Sequence, residues 1–90
     1  MKKTVKLKVK NKMGLHTRPA TAIVKLLRHF RSHVTFTFNR KSINAKSILS
    51  ILMLAARQGS VITITADGED SAEVIRQLTS AFESEFGDNY

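Results

Sequence analysis

The sequence predicts an α+β fold: one four-stranded antiparallel sheet with three helices covering a single face, in the order β-α-β-β-α-β-α. Three observations predict it. Short segments alternate apolar with polar residues, and Lys and Thr dominate the polar side. Between them lie stretches whose apolar residues recur at helical spacing. A chain of 90 residues, 42% hydrophobic, suffices for one domain with one thin core, two layers deep.

The elements follow in order. Val5, Leu7 and Val9 alternate with Lys6, Lys8 and Lys10, which predicts a half-buried first strand with a wet outer face. Residues 11–14 form a turn. Pro19 lacks an N–H and is tolerated only in the first turn of a helix, so the first helix begins just before it with His16 as N-cap. Ala20, Ile23, Leu27 and Phe30 form its buried stripe. Val34, Phe36 and Phe38 alternate with Thr35 and Thr37 in a second strand. Asn39-Arg40 reads as a hairpin turn, although Gly in second place would take positive φ more easily. Residues 41–43 make a short third strand. A second helix starts between Ala45 and Ser47 and ends at Gly59 or before it. In residues 60–66, Ile62, Ile64 and Ala66 share one side of a fourth strand, and Val61, Thr63 and Thr65 the other. Asp67-Gly68 turns the chain. Asp70 followed by Glu73 resembles a capping box, and Ile75, Leu78 and Phe82 mark the inner face of the last helix. Met13 is expected to pack beside the loop before His16, and Phe82 and Phe86 to lie in the core and at its edge. The domain is expected to span residues 1–88, with the polar chain after Gly87 loose and residues 89–90, including Tyr90, a disordered tail.

Composition narrows the chemistry. There is no cysteine, hence no disulfide framework and no thiolate metal site. His29 and His33 bracket a helix end, but no carboxylate lies near them in sequence, so no metal site is assigned. The run of apolar residues 51–56 is far too short to span a bilayer, and no targeting segment is visible. The expectation is a soluble, cytoplasmic protein with no membrane insertion, a monomer without cofactors. The formal charge of +8 is uneven: residues 1–60 hold 14 of the 15 Lys and Arg and no acid, whereas residues 61–90 carry Arg76 and all seven acids. Acidic or phosphorylated partners suit such a field, as do lysines that merely solvate a sheet face.

The most specific stretch is Gly14-Leu15-His16-Thr17-Arg18-Pro19-Ala20. It sets a histidine and an arginine two residues apart at the mouth of a helix, where unpaired N–H groups and a partial positive charge receive anions. Neutral imidazole is a nucleophile at physiological pH, and the cationic surroundings favour that neutral form. His16 can therefore carry a phosphoryl group while Arg18 and the backbone N–H groups of Thr17 and Arg18 hold its oxygens. Positioning and charge neutralisation dominate such transfers. The basic two-thirds of the chain has no Gly-rich nucleotide loop and no carboxylate cluster for magnesium, which points to a carrier rather than a complete enzyme.

This heptapeptide resembles the active-site signature of the HPr family, the histidine-containing phosphocarriers of the bacterial phosphoenolpyruvate:sugar phosphotransferase system. Ala45-Lys46-Ser47-Ile48-Leu49 resembles that family's regulatory-serine segment. Gln58-Gly59-Ser60-Val61-Ile62-Thr63-Ile64 and Gly68-Glu69-Asp70 are similar to its closing strand and the turn after it. The resemblance covers nearly the whole chain. It implies an open-faced β-sandwich, with His16 phosphorylated on Nδ1 by enzyme I charged from phosphoenolpyruvate, Arg18 stabilising the transferring group, and an enzyme II A domain as the next acceptor. It implies that Ser47 corresponds to the site of HPr kinase/phosphorylase, where that enzyme exists; read from the residues alone, Ser47 is a helix N-cap. Arg40 departs from the family's usual Gly in the hairpin turn, and the strong basic charge is a second departure.

Ile48, Leu49, Ile51, Leu52, Met53 and Leu54 crowd six apolar side chains into seven positions. One helix stripe can be buried, taking Ile51 and Leu54. Ile48, Leu49, Leu52 and Met53 are then left towards solvent, as on a partner surface. The resemblance implies docking there. The docking surface also takes in Thr17 and Ala20, and Arg18, Lys25, Arg28 and Lys46 supply a basic rim. Two rival readings stand beside this one. A regulatory or nitrogen-type paralogue would relay phosphate to a sensor. A basic nucleic-acid-binding module would need aromatic residues stacked on the open sheet face, and Phe36 is expected to point inward instead.

Overall fold

In a computed structural model describing residues 1–88, the chain runs β1 (Lys2–Lys8), α1 (Thr17–Leu27), β2 (His33–Phe38), β3 (Lys41–Asn44), α2 (Ile48–Met53), β4 (Val61–Asp67) and α3 (Ser71–Glu83), followed by a 3₁₀ turn over Glu85–Gly87. The strands form one antiparallel sheet in the order β1-β4-β2-β3. The predicted element order and sheet are therefore present. Asn89 and Tyr90 lie outside the described residues, and with them the expected disordered tail.

Register explains the one-sided core. Val5 pairs with Ile64, Ile64 with Phe36, and Phe36 with Ile43, so one row of apolar side chains crosses all four strands. Ile62, Val34 and Ala66 extend the same face, and all three are buried. The neighbouring rows, Thr4-Thr65-Thr35-Asn44 and Lys6-Thr63-Thr37-Ser42, point to the opposite face. That face holds hydroxyls, ammonium groups and, at the start of β2 beside Asp67, the imidazole of His33, with no Phe, Tyr or Trp among its described residues. One imidazole at a strand end is not the set of adjacent aromatic rings on which a nucleic-acid module stacks two or three bases.

The helices close the apolar face. Ala20, Ile23 and Leu27 of α1, Ile51 of α2, and Val74, Leu78 and Phe82 of α3 are at most 1% exposed. Full burial of each large aliphatic or aromatic side chain contributes about 2 kcal/mol. Phe82 meets Phe36 edge-on at 6.1 Å, locking α3 to the centre of the sheet. Val74 joins Leu78 and Phe82 on the fully buried stripe, which begins at Ser71, and Ile75 is partly buried against the core at its edge. Phe30 lies beyond the end of α1 and is half-buried.

Some local expectations are borne out and others are corrected. Asn39 and Arg40 both adopt positive φ, 53° and 65°, so the tight hairpin forms with an arginine in the place that favours glycine. Helix α2 stops at Met53, six residues before Gly59, where Ala55 takes φ 52° and donates its N–H to the Leu52 carbonyl at 3.0 Å. Asp70 and Glu73 do not form a capping box. Asp70 instead accepts the N–H groups of Arg31 at 2.8 Å and Ser32 at 3.0 Å, together with the Ser32 hydroxyl, and so ties the α1–β2 loop to the start of α3. Glu73 pairs with Arg76 and accepts from Gln77. Met13 is 60% exposed rather than packed against the loop. The chain after Gly87 is not loose at its first residue, because Asp88 is buried.

The loop before α1 is pressed against the exit of α2. Leu15 donates its N–H to the Ala56 carbonyl at 2.9 Å, and Val9 exchanges backbone bonds with the 59–60 turn at 2.8 Å. Gly14, at φ +69°, lies so close that a Cβ would stand 2.9 Å from Arg57 Cα and closer still to the Ala56 carbonyl oxygen. Gly14→Ala should cost about 2 kcal/mol or more, from left-handed strain plus this clash. Gly59→Ala has φ +92° but nothing within 4 Å, and should cost only about 1 kcal/mol. Urea unfolding of the two variants checks the difference, and equal losses would show that the close approach carries no weight.

The Asp70 hydrogen bonds also set a pH dependence. The Ser32 hydroxyl and the Arg31 N–H hold its carboxyl below the ordinary 3.8. The stabilisation is complete above that ordinary value and declines as pH falls through the lower value of the folded state. Asp70→Asn should therefore be less stable than the unsubstituted chain at neutral pH, with the gap between their urea midpoints narrowing in acid. A gap that stays constant from neutral pH to about pH 2.5 would mean that the carboxylate charge is not what holds this loop.

Candidate functional site

His16 is the N-cap of α1. Its backbone is extended, φ −82° and ψ −166°, and its side chain makes no capping bond. Its carbonyl accepts the first intrahelical bond from the Ala20 N–H at 3.0 Å, and its own N–H donates to Gly14 at 2.9 Å. Pro19 falls inside the first turn, where an N–H is not needed. The N–H groups of Thr17 and Arg18 precede that first bond, so helix geometry gives them no intrahelical acceptor. No acidic residue lies in the first turn.

The imidazole is 22% exposed and is not sealed in the core. Its Nε2 lies 2.7 Å from Asp88 Oδ2. A carboxylate only accepts, so Nε2 carries the proton in this bond and the lone pair of the neutral ring resides on Nδ1. Arg18 Nε approaches the other oxygen of Asp88 at 3.9 Å, while its side chain remains 63% exposed. Buried Asn11 completes the cluster: its Nδ2 donates to Asp88 Oδ2 at 3.1 Å and to the Gly14 carbonyl at 2.5 Å. The Asn11 Oδ1 is a buried acceptor with no partner among the described residues. The surroundings of the ring are thus not purely cationic, as the sequence had suggested.

Asp88 is the residue of this cluster that sequence reasoning missed. It follows a glycine in a short polar segment without periodicity. The available signal was Phe86, four residues after Phe82 and therefore able to return to the core. Their rings meet edge-on at 4.9 Å.

Helix α2 presents a second feature. Ile51 and Leu54 are buried, whereas Ile48, Leu49 and Met53 are 37%, 67% and 66% exposed and Leu52 is half-buried. Ser47 caps the helix, its hydroxyl accepting the Ser50 N–H at 3.2 Å. Lys46 donates to the Phe30 carbonyl at 2.8 Å and, with Val24 and Arg28, lines a hollow between α1 and α2. Thr17, Lys25 and Arg28 are exposed on α1. Ala20 is not: it sits on the inner stripe with no exposed surface, so it supports the helix and drops out of the expected docking surface. Among the described residues, no three His, Cys, Asp or Glu side chains come together as a metal site, and no helix is long and apolar enough to cross a membrane.

Comparison with known proteins agrees with this geometry. A family model described as the PTS HPr component phosphorylation site matches residues 3–84. Phosphocarrier protein HPr of Xylella fastidiosa is 39% identical over 83 residues, covering 92% of this chain and 93% of its own. The HPr of Chlamydia pneumoniae is 45% identical over 80 residues, 89% of this chain and 74% of its own. Among solved structures, HPr-C-His from Thermoanaerobacter tengcongensis is 40% identical with a TM-score of 0.92, over 98% of this chain and 99% of that one. With a family match running from β1 to the end of α3 and a likeness of fold from end to end, this chain belongs to the HPr family, the phosphocarriers of the phosphotransferase system.

Proposed function

We propose that this chain is a stoichiometric phosphoryl carrier in the cytoplasm, accepting one phosphoryl group on His16 from phosphoenolpyruvate-charged enzyme I and passing it to an enzyme II A domain. The observation that carries the reading is the position of His16: a partly exposed imidazole at the N-cap of an eleven-residue helix, with Arg18 two residues on. The helix mouth directs the N–H groups of Thr17 and Arg18, and the positive end of the helix dipole, at the place where phosphoryl oxygens arrive. The Arg18 guanidinium adds charge-assisted donors. Both ends of the transfer are histidine or phosphate chemistry in which charge is neutralised and geometry fixed, and these supports suffice for a carrier.

The partner surface in this reading is the exposed apolar part of α2, namely Ile48, Leu49, Leu52 and Met53, with Thr17 beside it and Arg18, Lys25, Arg28 and Lys46 around it. Apolar area gives contact and the basic rim gives steering towards acidic partners. Ser47 lies within this patch. A phosphate on its hydroxyl is tolerated at a helix start, but it sets a dianion among side chains that a partner must desolvate. We assign Ser47 as a regulatory site, used where HPr kinase/phosphorylase is present.

Incubation with phosphoenolpyruvate and enzyme I should add one acid-labile phosphoryl group per chain, and His16→Ala should add none. Intact-mass measurement at alkaline and acidic pH reads both, and an equally labelled His16→Ala protein would remove His16 as the acceptor. Ser47→Asp should keep the thermal midpoint of the unsubstituted protein yet weaken capture by enzyme I by roughly tenfold. Unchanged transfer kinetics in that variant would argue against docking on α2.

A further inference from the structure

The chain bends back sharply after α3. Glu85, Phe86 and Gly87 hold φ values of 56°, 55° and 78° in succession. Left-handed backbone costs an L-residue roughly 1–2 kcal/mol, so two such non-glycine residues persist only where surrounding contacts over-determine them. Two contacts do so here. The Phe86 ring packs edge-on against Phe82. The Asp88 side chain, 2% exposed, meets His16 Nε2, Asn11 Nδ2 and, at longer range, Arg18 Nε. The family match ends at residue 84, so this strap lies beyond the part of the chain that the family model describes.

We infer that Asp88 is a positioning residue for the phosphoryl acceptor, accepting the Nε2 proton of His16 so that Nδ1 is the nucleophilic nitrogen. The inference rests on the reading of His16 as acceptor. The Nδ1 lone pair forms the P–N bond as the bond from phosphorus to the donor atom breaks, and the donor keeps that electron pair. No proton moves. The ring retains its Nε2 proton and gains one positive charge, which the carboxylate offsets from 2.7 Å. On the outward transfer the neutral ring is released in the same tautomer, ready for the next cycle. Asn11 fixes the carboxylate oxygen that performs this task, since its Nδ2 bonds the same Oδ2.

The test uses the full chain, with ¹⁵N NMR of the His16 ring and single-turnover labelling from phosphorylated enzyme I. In the unsubstituted protein the neutral ring should hold its proton on Nε2. Asp88→Ala should show mixed tautomers and take up label roughly 10–100-fold more slowly, while still reaching one phosphoryl group per chain. Asp88→Asn keeps an acceptor but loses the charge, so it should retain the tautomer and recover only part of the rate. A role confined to closing the strap would lower the thermal midpoint of Asp88→Ala and leave tautomer and rate unchanged, and that result overturns the inference. Failure of the unsubstituted protein to be labelled would instead overturn the reading of His16 itself.

Discussion

The fold depends on one row of side chains. Val5, Ile64, Phe36 and Ile43 lie side by side across four strands, and only one face of the sheet is apolar. Because strand side chains alternate with a period of two, a slip of one residue in any strand would turn this row to water. The helices must therefore gather on the single apolar face, and each docks by a stripe whose position fixes its ends. The stripe of α1 through Ala20, Ile23 and Leu27 leaves its first turn at the border of the domain. A chemically active histidine becomes possible there because burial of the helix is completed by other residues.

The second constraint is local. Gly14 brings the loop before His16 against the Ala56 backbone, and the Leu15 N–H secures it. The segment leaving α2 and the segment entering α1 are thereby one unit. The histidine and the exposed apolar helix are held in fixed relation by backbone contacts, independently of any side chain that a partner touches. The same economy shows in the C-terminal strap, where the aromatic series Phe36, Phe82 and Phe86 carries order from the middle of the sheet out to Asp88.

Much of this was legible in the chain. Strict alternation in β1, β2 and β4 specified both strands and faces, and Pro19 placed the first turn of α1. The surplus of apolar residues at 48–54 announced a helix with more hydrophobic surface than the core can take. What escaped depended on pairings distant in sequence. Asp70 followed by Glu73 satisfies a local capping pattern, yet Asp70 bonds Ser32, 38 residues earlier, because the α1–β2 loop offers it three donors. Asp88 lies 72 residues from His16, and the turn that returns it uses left-handed backbone at Glu85 and Phe86, which their residue types do not advertise. The end of α2 falls before Gly59 as expected, but its position, set where Ala55 takes positive φ, is likewise unsignalled by residue type. Ala20, legible as core from its place on the helical stripe, offers no surface to a partner.

The two borders of the sheet are β1 and β3, and each could in principle accept a foreign strand along its unpaired backbone. The border at β3 is only four residues long, and β1 carries lysine at positions 2, 3, 6 and 8 of its seven-residue run. Any extended segment settling against β1 would have to desolvate or crowd those ammonium groups. The lysines that make this carrier so basic thus also guard it against templated aggregation, a hazard that grows with abundance and that a small, half-uncovered sheet would otherwise invite.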